Sequence, residues 1–335
     1  MADTRLIDVV IPEEFTAYVT QNTMEASALV QSGIVARNGV IEGQLSAGAD
    51  SFTVPFWNDL ADDEANIAGD DPAVTATPRK LTSEKQIVRK SFLHNSWSAM
   101  NLASELSGDD AIQRIQERAA AYWTRQTQRR LISSLRGILA DNEANDSGDM
   151  LLDITGLTGA AAQFSAEAAI DAAGTMGDQM GAVAGIAMHS DIYRKALKND
   201  LIAFVPDSQG RDFATFRGMA VVVDDLLPKD VVTDTPDYDA YTSVLFTPGA
   251  VGWGFTAPRI AAGTEIENKP GAGNGGGQQI LHSRVNLAIH PSGFQWLEGS
   301  VVDESPTIAE LALAANWNRV VERKAAGIAF LKSRL

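Results

Sequence analysis

The stretch GDDAIQRIQERAAAYWTRQTQRRLISSLRGILADN, residues 108–142, contains no proline and one internal glycine, Gly137. At 1.5 Å per residue, one helix of this length would extend about 50 Å, longer than most helices of soluble proteins. Asp109 and Asp110 stand at its start and arginines stand towards its end, which suits the helix dipole. The stretch therefore predicts one long rod-like helix, around which the rest of the chain is organised.

The apolar residues of this rod occupy two faces that are rotated relative to each other. The first face holds Ile112, Ile115, Ala119 and Tyr122, and the second holds Leu131, Leu135 and Ile138. A two-helix coiled coil would keep a single apolar seam, so we expect the two ends of the rod to pack against different neighbours. The rod is also rich in arginine, although the chain as a whole has a net charge of −16. An amphipathic helix with a solvated polar face is the alternative.

Composition excludes several classes of protein. The 335 residues, 45% hydrophobic and 21% charged, are typical of a globular chain with about two domains. No apolar run reaches the ~18 residues of a membrane span and no signal peptide is visible, so no membrane partner is predicted. The absence of cysteine excludes disulfides, thiolate zinc sites and cysteine nucleophiles. A pI near 4.6 argues against general binding to a phosphate backbone.

Residues 49–93 are predicted to form a long two-stranded ribbon. One strand alternates Phe52, Val54 and Phe56, and QIVRKSFL, residues 86–93, supplies the other. The segment between the strands has an acidic first half, which includes Asp59, Asp62, Asp63 and Glu64, and a basic second half, which includes Arg79 and Lys80. An isolated two-stranded hairpin is marginal in water, so the ribbon must lie on another surface. A lid over an active site or a plain surface loop is the alternative.

The remaining segments predict short elements on either side of the rod. Residues 184–257 alternate buried strands with a short helix that has Ser190 as its N-cap, which is typical of a compact α/β unit. A short helix is predicted over residues 96–106, and another begins with Ser305 as N-cap and Pro306 in its first turn. Residues 1–45 have little core of their own and are predicted to lie on another surface.

The sequence carries no recognisable chemical site. The acidic loop at 141–149 superficially suggests a calcium loop, but Ile154 stands where a bidentate glutamate is required. The G-x-G-x-x-G at 271–276 follows a proline and precedes a strand, so it does not fit a dinucleotide fingerprint. The histidines lack metal-ligand spacing, and are His94, His189, His282 and His290. We predict no catalysis, no cofactor and no metal, while a soluble α/β enzyme with an unrecognised site under residues 58–84 remains open.

The order of these elements, and several local segments, resemble a known family. AGIAMHSDIYRKALKND followed by FRGMAVVVDDLLP, then YTSVLFTPGAVGWGF and the closing ANWNRVVERKAAGIAFLK, are similar to successive elements of the major capsid proteins of tailed bacteriophages. These proteins have the Hong Kong 97-type shell fold, an α+β fold with an N-terminal arm, an extended β-hairpin loop, a long spine helix, a peripheral domain and an axial domain. The resemblance covers the chain from about residue 10.

The resemblance divides the chain into six parts. They are the arm at 1–48, the extended loop at 49–93, the first part of the peripheral domain at 94–183 with the spine helix at 108–142, the axial domain at 184–257, the second part of the peripheral domain at 258–304, and a helix and strand at 305–335 that complete the axial domain.

The resemblance also implies a function and partners. The chain would be a structural subunit of the virion, assembled in the host bacterial cytoplasm as hexamers and pentamers of an icosahedral head that encloses double-stranded DNA. Its partners would be further copies of itself, a portal, a separate scaffold protein, a decoration protein as a further candidate, and the packaged DNA without sequence specificity. An encapsulin-type compartment, which shares the fold but encloses enzymes, is the alternative.

Residues of the ribbon and rod are the candidates for contacts between subunits. We expect Phe52, Phe56 and Trp57 to be apolar anchors of the ribbon. The acidic half of the ribbon, Asp59, Asp62, Asp63 and Glu64, is predicted to dock against a neighbour's Arg79, Lys80, Arg125 and Arg129. The alternative is that both charged sets are simply solvated.

Overall fold

The computed structural model of the protein describes residues 35–58, 79–206, 212–233 and 237–335, together with residues 60, 64, 65, 67, 68, 70, 71, 73 and 75. The helices are α1 Gly39–Leu45, α2 Asn101–Ser107, α3 Ala111–Asn145, α4 Ala166–Gly174, α5 Ser190–Lys198 and α6 Ile308–Leu311. The strands are β1 Val35–Arg37, β2 Ser51–Trp57, β3 Ser83–Arg89, β4 Ser91–Met100, β5 Leu151–Asp153, β6 Gly185–Met188, β7 Ala203–Pro206, β8 Asp212–Phe216, β9 Met219–Val223, β10 Lys229–Val232, β11 Tyr238–Phe246, β12 Val251–Thr256, β13 Thr264–Lys269, β14 Gln278–Pro291, β15 Phe294–Trp296, β16 Trp317–Arg319 and β17 Ile328–Arg334.

Helix α3 confirms the predicted rod, with both of its ends shifted by three residues towards the C-terminus. It runs unbroken for 35 residues. The side chain of Asp110 caps it by accepting hydrogen bonds from the backbone N–H groups of Ile112 and Gln113, at 2.9 and 3.2 Å. These bonds satisfy donors that the first helical turn leaves unpaired.

The first sheet is built around β14, the longest strand in the described part of the chain. Strand β4 pairs with one edge of β14, while β13 and then β12 pair with the other edge, and β1 adds to β12 in parallel. The N-terminal half of α3 packs on one face, where Trp123 Nε1 donates a 2.8 Å hydrogen bond to Ser283 Oγ. Helix α1 and the base of the ribbon cover the other face. A Cβ at Gly254 would lie 2.9–3.0 Å from Ile41 and Leu45, so this glycine lets α1 approach β12 closely.

The second sheet has the strand order β5-β17-β11-β6-β9-β8-β7, with β10 also paired to β11. Helices α4 and α5 cover one face with small and aliphatic side chains such as Ala169, Ala172 and Ile192. The other face joins a core cluster that contains Leu131, Leu135 and Ile138 of α3. The C-terminal half of α3 therefore connects the two sheets, as the rotated apolar faces of the rod predicted.

The two sheets do not follow the predicted domain boundaries at every strand. Strand β12, which lies within the predicted axial domain at 184–257, pairs with β14 of the first sheet. Strand β5 pairs with β17 of the second sheet and helix α4 packs on that sheet, although both lie within the predicted first part of the peripheral domain at 94–183. The division into peripheral and axial domains stays a prediction. The predicted C-terminal strand does complete the second sheet, since β17 pairs with both β11 and β5.

Three local predictions are wrong at the level of single residues. The helix predicted at 96–106 begins only at Asn101, because β4 extends to Met100 along its ladder with β14. His189, not Ser190, caps α5 by accepting from the N–H of Asp191 at 3.1 Å. Thr307, not Ser305, caps α6 and forms a reciprocal capping box with Glu310.

Candidate contact surfaces

The ribbon predicted over residues 49–93 is present as a two-stranded sheet of β2 and β3. The two strands pair antiparallel from Ser51 opposite Arg89 to Trp57 opposite Ser83. Alternate side chains of β2 point to opposite faces, and Phe52 and Val54 pack against the buried cluster of Ile41, Leu45, Val88 and Ala288. Phe52, predicted as an anchor for a neighbouring subunit, therefore attaches the ribbon to its own chain.

Two basic residues fix the base of the ribbon, the end at Ser51 and Arg89, to the body of the subunit, which comprises the two sheets and α3. Arg89 forms ion pairs with Asp50 at 2.5 Å and Glu298 at 2.8 Å, and it donates to the carbonyl oxygen of Glu304 at 2.7 Å. The hydrogen bond from Arg89 lowers the pKa of Asp50. Lys90 is fully buried, and its Nζ donates to the carbonyl oxygen of Ala47 at 2.9 Å. Burial lowers the pKa of Lys90, an effect that Asp50 opposes.

The outer half of the ribbon stands away from the body. A cleft of about 1950 Å³ lies between Phe56, Trp57 and Leu60 on the ribbon and residues 320–327 on the body. A second cleft, of about 940 Å³, lies beside Thr53 and Pro55. Trp57 is 70% exposed, Leu60 is 68% exposed and Ile67 is 91% exposed. Phe56 is half-buried. Exposed large apolar side chains in one region are typical of a protein-binding surface.

The charged residues of the ribbon are only partly described. Asp59, Asp62 and Asp63 lie outside the described residues. Glu64 is exposed, and its carbonyl oxygen accepts a 2.9 Å hydrogen bond from Arg79 Nη2 within the same ribbon. Lys80 is exposed near the cleft between ribbon and body. The predicted acidic-to-basic docking between neighbours therefore stays a prediction.

The arginines of α3 fall into distinct groups, which sequence reasoning did not separate. Arg114 pairs with Asp109 and Glu117, and Arg136 pairs with Asp230 at 3.2 Å. Arg130 is buried. Of the two predicted contact residues, Arg125 is half-buried and Arg129 is exposed. Part of the arginine excess thus serves the fold of the same subunit.

The acidic loop after α3 is held by arginines from the C-terminal segment. Arg319 contacts Asp149 through both terminal nitrogens, at 2.8 and 2.9 Å, and Arg323 donates to the carbonyl oxygen of Asp149 at 3.2 Å. Burial alone would raise the pKa of Asp149, but hydrogen bonds from Arg319 and Asn142 lower it. The acidic loop therefore has a structural role, since arginines about 170 positions later in the chain hold it in place.

The histidines occupy structural positions within the first sheet and at a helix cap. Ser96 Oγ lies 2.7 Å from His94 Nε2 and 2.9 Å from His282 Nδ1. His290 is buried, and desolvation lowers its pKa to about 4. Within the described ranges, no group of His, Asp and Glu side chains could hold a metal ion, and no helix is long and apolar enough to cross a membrane.

The long helix between two sheets, together with the protruding ribbon, defines the class of fold, the Hong Kong 97-type fold. The fold matches the capsid of Ralstonia phage GP4 with a TM-score of 0.58 at 11% identity, over 96% of this chain and 95% of that one. It matches the capsid of a native GTA particle at 0.53 and 14% identity, over 97% and 96%. It also matches an encapsulin complex from Synechococcus elongatus at 0.50 and 10%, over 95% and 91%. These likenesses confirm the predicted α+β shell fold.

Sequence comparison gives the family. The chain belongs to the Gp13-like family, described as major capsid protein 13-like, whose model matches residues 10–329. The major capsid protein of Bacillus phage SPP1 is 35% identical over 338 residues, which cover 100% of this chain and 99% of that protein. The protein is a major capsid protein of a tailed-phage head and a structural component of the virion. The predicted class is confirmed, and the encapsulin and enzyme alternatives lose their support.

Proposed function

We propose that the protein assembles as hexamers and pentamers of an icosahedral head, and that the outer half of the ribbon joins each subunit to a neighbour. The observation that supports this proposal is the exposure of Trp57 and Leu60 on a ribbon whose base is fixed to its own body. The ribbon is thus attached to its own subunit at the base and has exposed apolar side chains at its outer end. Such a surface gains stability only when a second chain covers it.

Magnitudes favour the apolar residues over the charges as the main source of contact energy. Burying one large apolar side chain contributes about 1.5–3 kcal/mol. An exposed ion pair contributes ~0–1 kcal/mol. Because each subunit in a closed shell repeats the same contacts with several neighbours, weak individual contacts sum to a stable lattice. We therefore propose that Trp57 and Leu60 supply most of the contact energy. The charged residues of the ribbon and of α3 would fix how neighbouring subunits are aligned.

The role of the protein in a capsid suggests further binding partners. We propose a portal and a separate scaffold protein as partners during assembly, with a decoration protein as a further candidate. Packaged double-stranded DNA would contact the shell without sequence specificity, since the net charge of −16 opposes strong phosphate binding.

Replacing residues at the two ends of the ribbon separates folding from assembly. Trp57→Ala is expected to leave the melting temperature of the subunit unchanged, because Trp57 is mostly exposed, but to abolish shells when the head genes are co-expressed. Phe52→Ala is the matched control at the base, and is expected to destabilise the subunit itself by about 1–3 kcal/mol. Thermal unfolding measures the first property, and sucrose-gradient sedimentation with negative-stain microscopy measures the second. Shells of normal yield and size from Trp57→Ala would refute the ribbon contact.

The same assay tests the charge docking. Reversing Asp62 and Asp63 to lysine is expected to hinder assembly, and changing Arg79 and Lys80 to glutamate in the same chain is expected to restore it. Normal shells from the one-sided reversal would show that these charges are only solvated.

A further inference from the structure

A small, largely enclosed cavity lies where the ribbon base, helix α3 and the first sheet meet. Its volume is about 20 Å³, and a cavity needs ~10–15 Å³ to hold one water-sized particle. Among its lining residues are Arg89 and Ser91 from the ribbon side, Arg130 from α3, and His290 and Trp296 from β14 and β15. The cavity therefore lies beside Arg89, one of the two residues that fix the base of the ribbon.

Three of the lining side chains have a buried N–H group without an acceptor. These groups are Arg89 Nε, Arg130 Nε and Trp296 Nε1. The exposed fraction is 7% for the Arg89 side chain, 7% for Arg130 and 2% for Trp296. Guanidinium and indole nitrogens donate hydrogen bonds and accept none. A buried donor left without an acceptor costs about 1–3 kcal/mol, so the three together require a partner.

Of the two arginines among the described residues that line the cavity, Arg89 is paired with carboxylates and Arg130 is not. Arg89 has Asp50 and Glu298 as counter-ions. Arg130 Nη1 donates to the carbonyl oxygen of Pro306 at 2.8 Å and contacts Ser91 Oγ at 3.4 Å, both of which are neutral groups. In the described part of the chain no carboxylate pairs with Arg130, and burial lowers its pKa to about 10, which keeps it protonated at neutral pH. An isolated buried charge is costly unless an opposite charge compensates it.

The neighbouring polar groups also favour an acceptor of negative charge. Burial lowers the pKa of His290 to about 4, so this side chain is neutral at pH 7 and adds no positive charge of its own. The hydroxyl hydrogen of Ser91 is free to rotate and donate, since its oxygen is the acceptor for Arg130. A water molecule accepts two hydrogen bonds, whereas three orphaned N–H donors and one cationic guanidinium suit a small anion. We propose that this cavity binds one halide-sized anion, such as chloride, between Arg130, Trp296 and Arg89.

The inference does not depend on assembly and can be tested on the purified protein. Thermal unfolding would be compared in sodium chloride and in sodium gluconate at the same ionic strength, since gluconate is too large for the cavity. A bound anion is expected to raise the melting temperature in 0.2 M chloride by about 2 °C. The line width of the ³⁵Cl resonance would be measured in parallel, because exchange of chloride with a protein site broadens it.

Three variants make the test specific to the cavity. Arg130→Met and Trp296→Phe are expected to abolish both the chloride-dependent melting shift and the excess ³⁵Cl broadening. Arg136→Gln removes an exposed arginine of the same helix and is expected to keep both signals. If Arg130→Met does not fold, Trp296→Phe still carries the test, because the phenyl ring keeps most of the packing and lacks the N–H. Equal melting temperatures in the two salts with no excess broadening in the unmodified protein would show that the cavity holds water only.

Discussion

The two halves of α3 belong to one continuous helix but lie in different environments. Residues 111–126 are mostly exposed or half-buried, and an apolar cleft of about 520 Å³ separates this half from Trp253 and Phe255 of β12. Most of residues 127–142 are buried, including Gln128, Arg130 and Asn142. The second half of α3 is therefore a central pillar that contacts both sheets, whereas the first half covers one sheet and leaves an open side.

Two polar residues of the buried half, Gln128 and Asn142, have defined partners. Gln128 donates from Nε2 to Asp224 Oδ2, which links the pillar to the turn after β9. Asn142 donates to Asp149 and accepts from the N–H of Met150. A buried polar group is tolerated when such bonds replace its bonds to water. The buried half is therefore more sensitive to substitution than its polar sequence suggests.

The largest expected effect comes from Gly137, in the buried half. A Cβ at this position would clash with the carbonyl oxygen of Leu311 and with Trp317 Nε1, which hydrogen-bond to each other at 2.8 Å. Gly137→Ala is expected to destabilise the subunit by about 2–3 kcal/mol, measured by urea unfolding, in spite of a gain of ~1 kcal/mol in helix propensity. Gly43→Ala in α1 is the matched control, because no atom lies within 4 Å of its added Cβ, and it is expected to stabilise slightly. Equal changes in the free energy of unfolding for the two variants would contradict the close packing of α3 at Gly137.

An intermediate effect is expected at the start of the exposed half. Asp110→Ala removes the side chain that caps the first turn of α3. The expected loss of stability is about 1 kcal/mol, because the two capped N–H groups can be solvated instead. Hydrogen exchange should show faster opening of residues 111–120 and unchanged protection of residues 127–142. Loss of protection along the whole helix would mean that the two halves open together.

The smallest effect is expected from replacing Asp141. Unlike the two preceding changes, this replacement is expected to stabilise the subunit. Burial raises the pKa of this carboxyl, and its Oδ2 has no hydrogen-bond partner. A group whose pKa is raised in the folded state favours folding at low pH, and this contribution is lost as the pH rises through the folded pKa. Asp141→Asn is therefore expected to raise the melting temperature slightly at pH 8 and to flatten its dependence on pH. An unchanged pH profile would show that Asp141 does not contribute to it.

Sequence patterns predicted the helices and strands better than they predicted which of these elements pair or pack with one another. The rod and the ribbon follow from local spacing, and both are present. The helix predicted over 96–106 rested on Trp97 and Met100, whose spacing suits a helix, but ten residue pairs between β4 and β14 impose an extended conformation. The membership of β12 in the first sheet likewise depends on pairing with a strand some 30 residues later.

The contact candidates show the same limit. Alternation along β2 predicts that Phe52 and Trp57 lie on opposite faces, but it does not say which face meets the body. The buried cluster that α1, β3 and β14 form decides this, because Phe52 packs against it and Trp57 stays exposed. The burial of Arg130 was not predictable either, since its environment is assembled from Ser91 and Pro306, distant in the chain.

The passage from β3 into β4 through the single residue Lys90 has a mechanical consequence. Tension on the outer end of the ribbon is transmitted directly into β4, which is joined to β14 along its whole length. The hydrogen bonds of that ladder lie across the direction of pull and share the load, instead of opening one after another from an end. Force on the ribbon in an assembled shell would therefore be resisted by the whole β4–β14 ladder, and not by one terminal residue pair at a time.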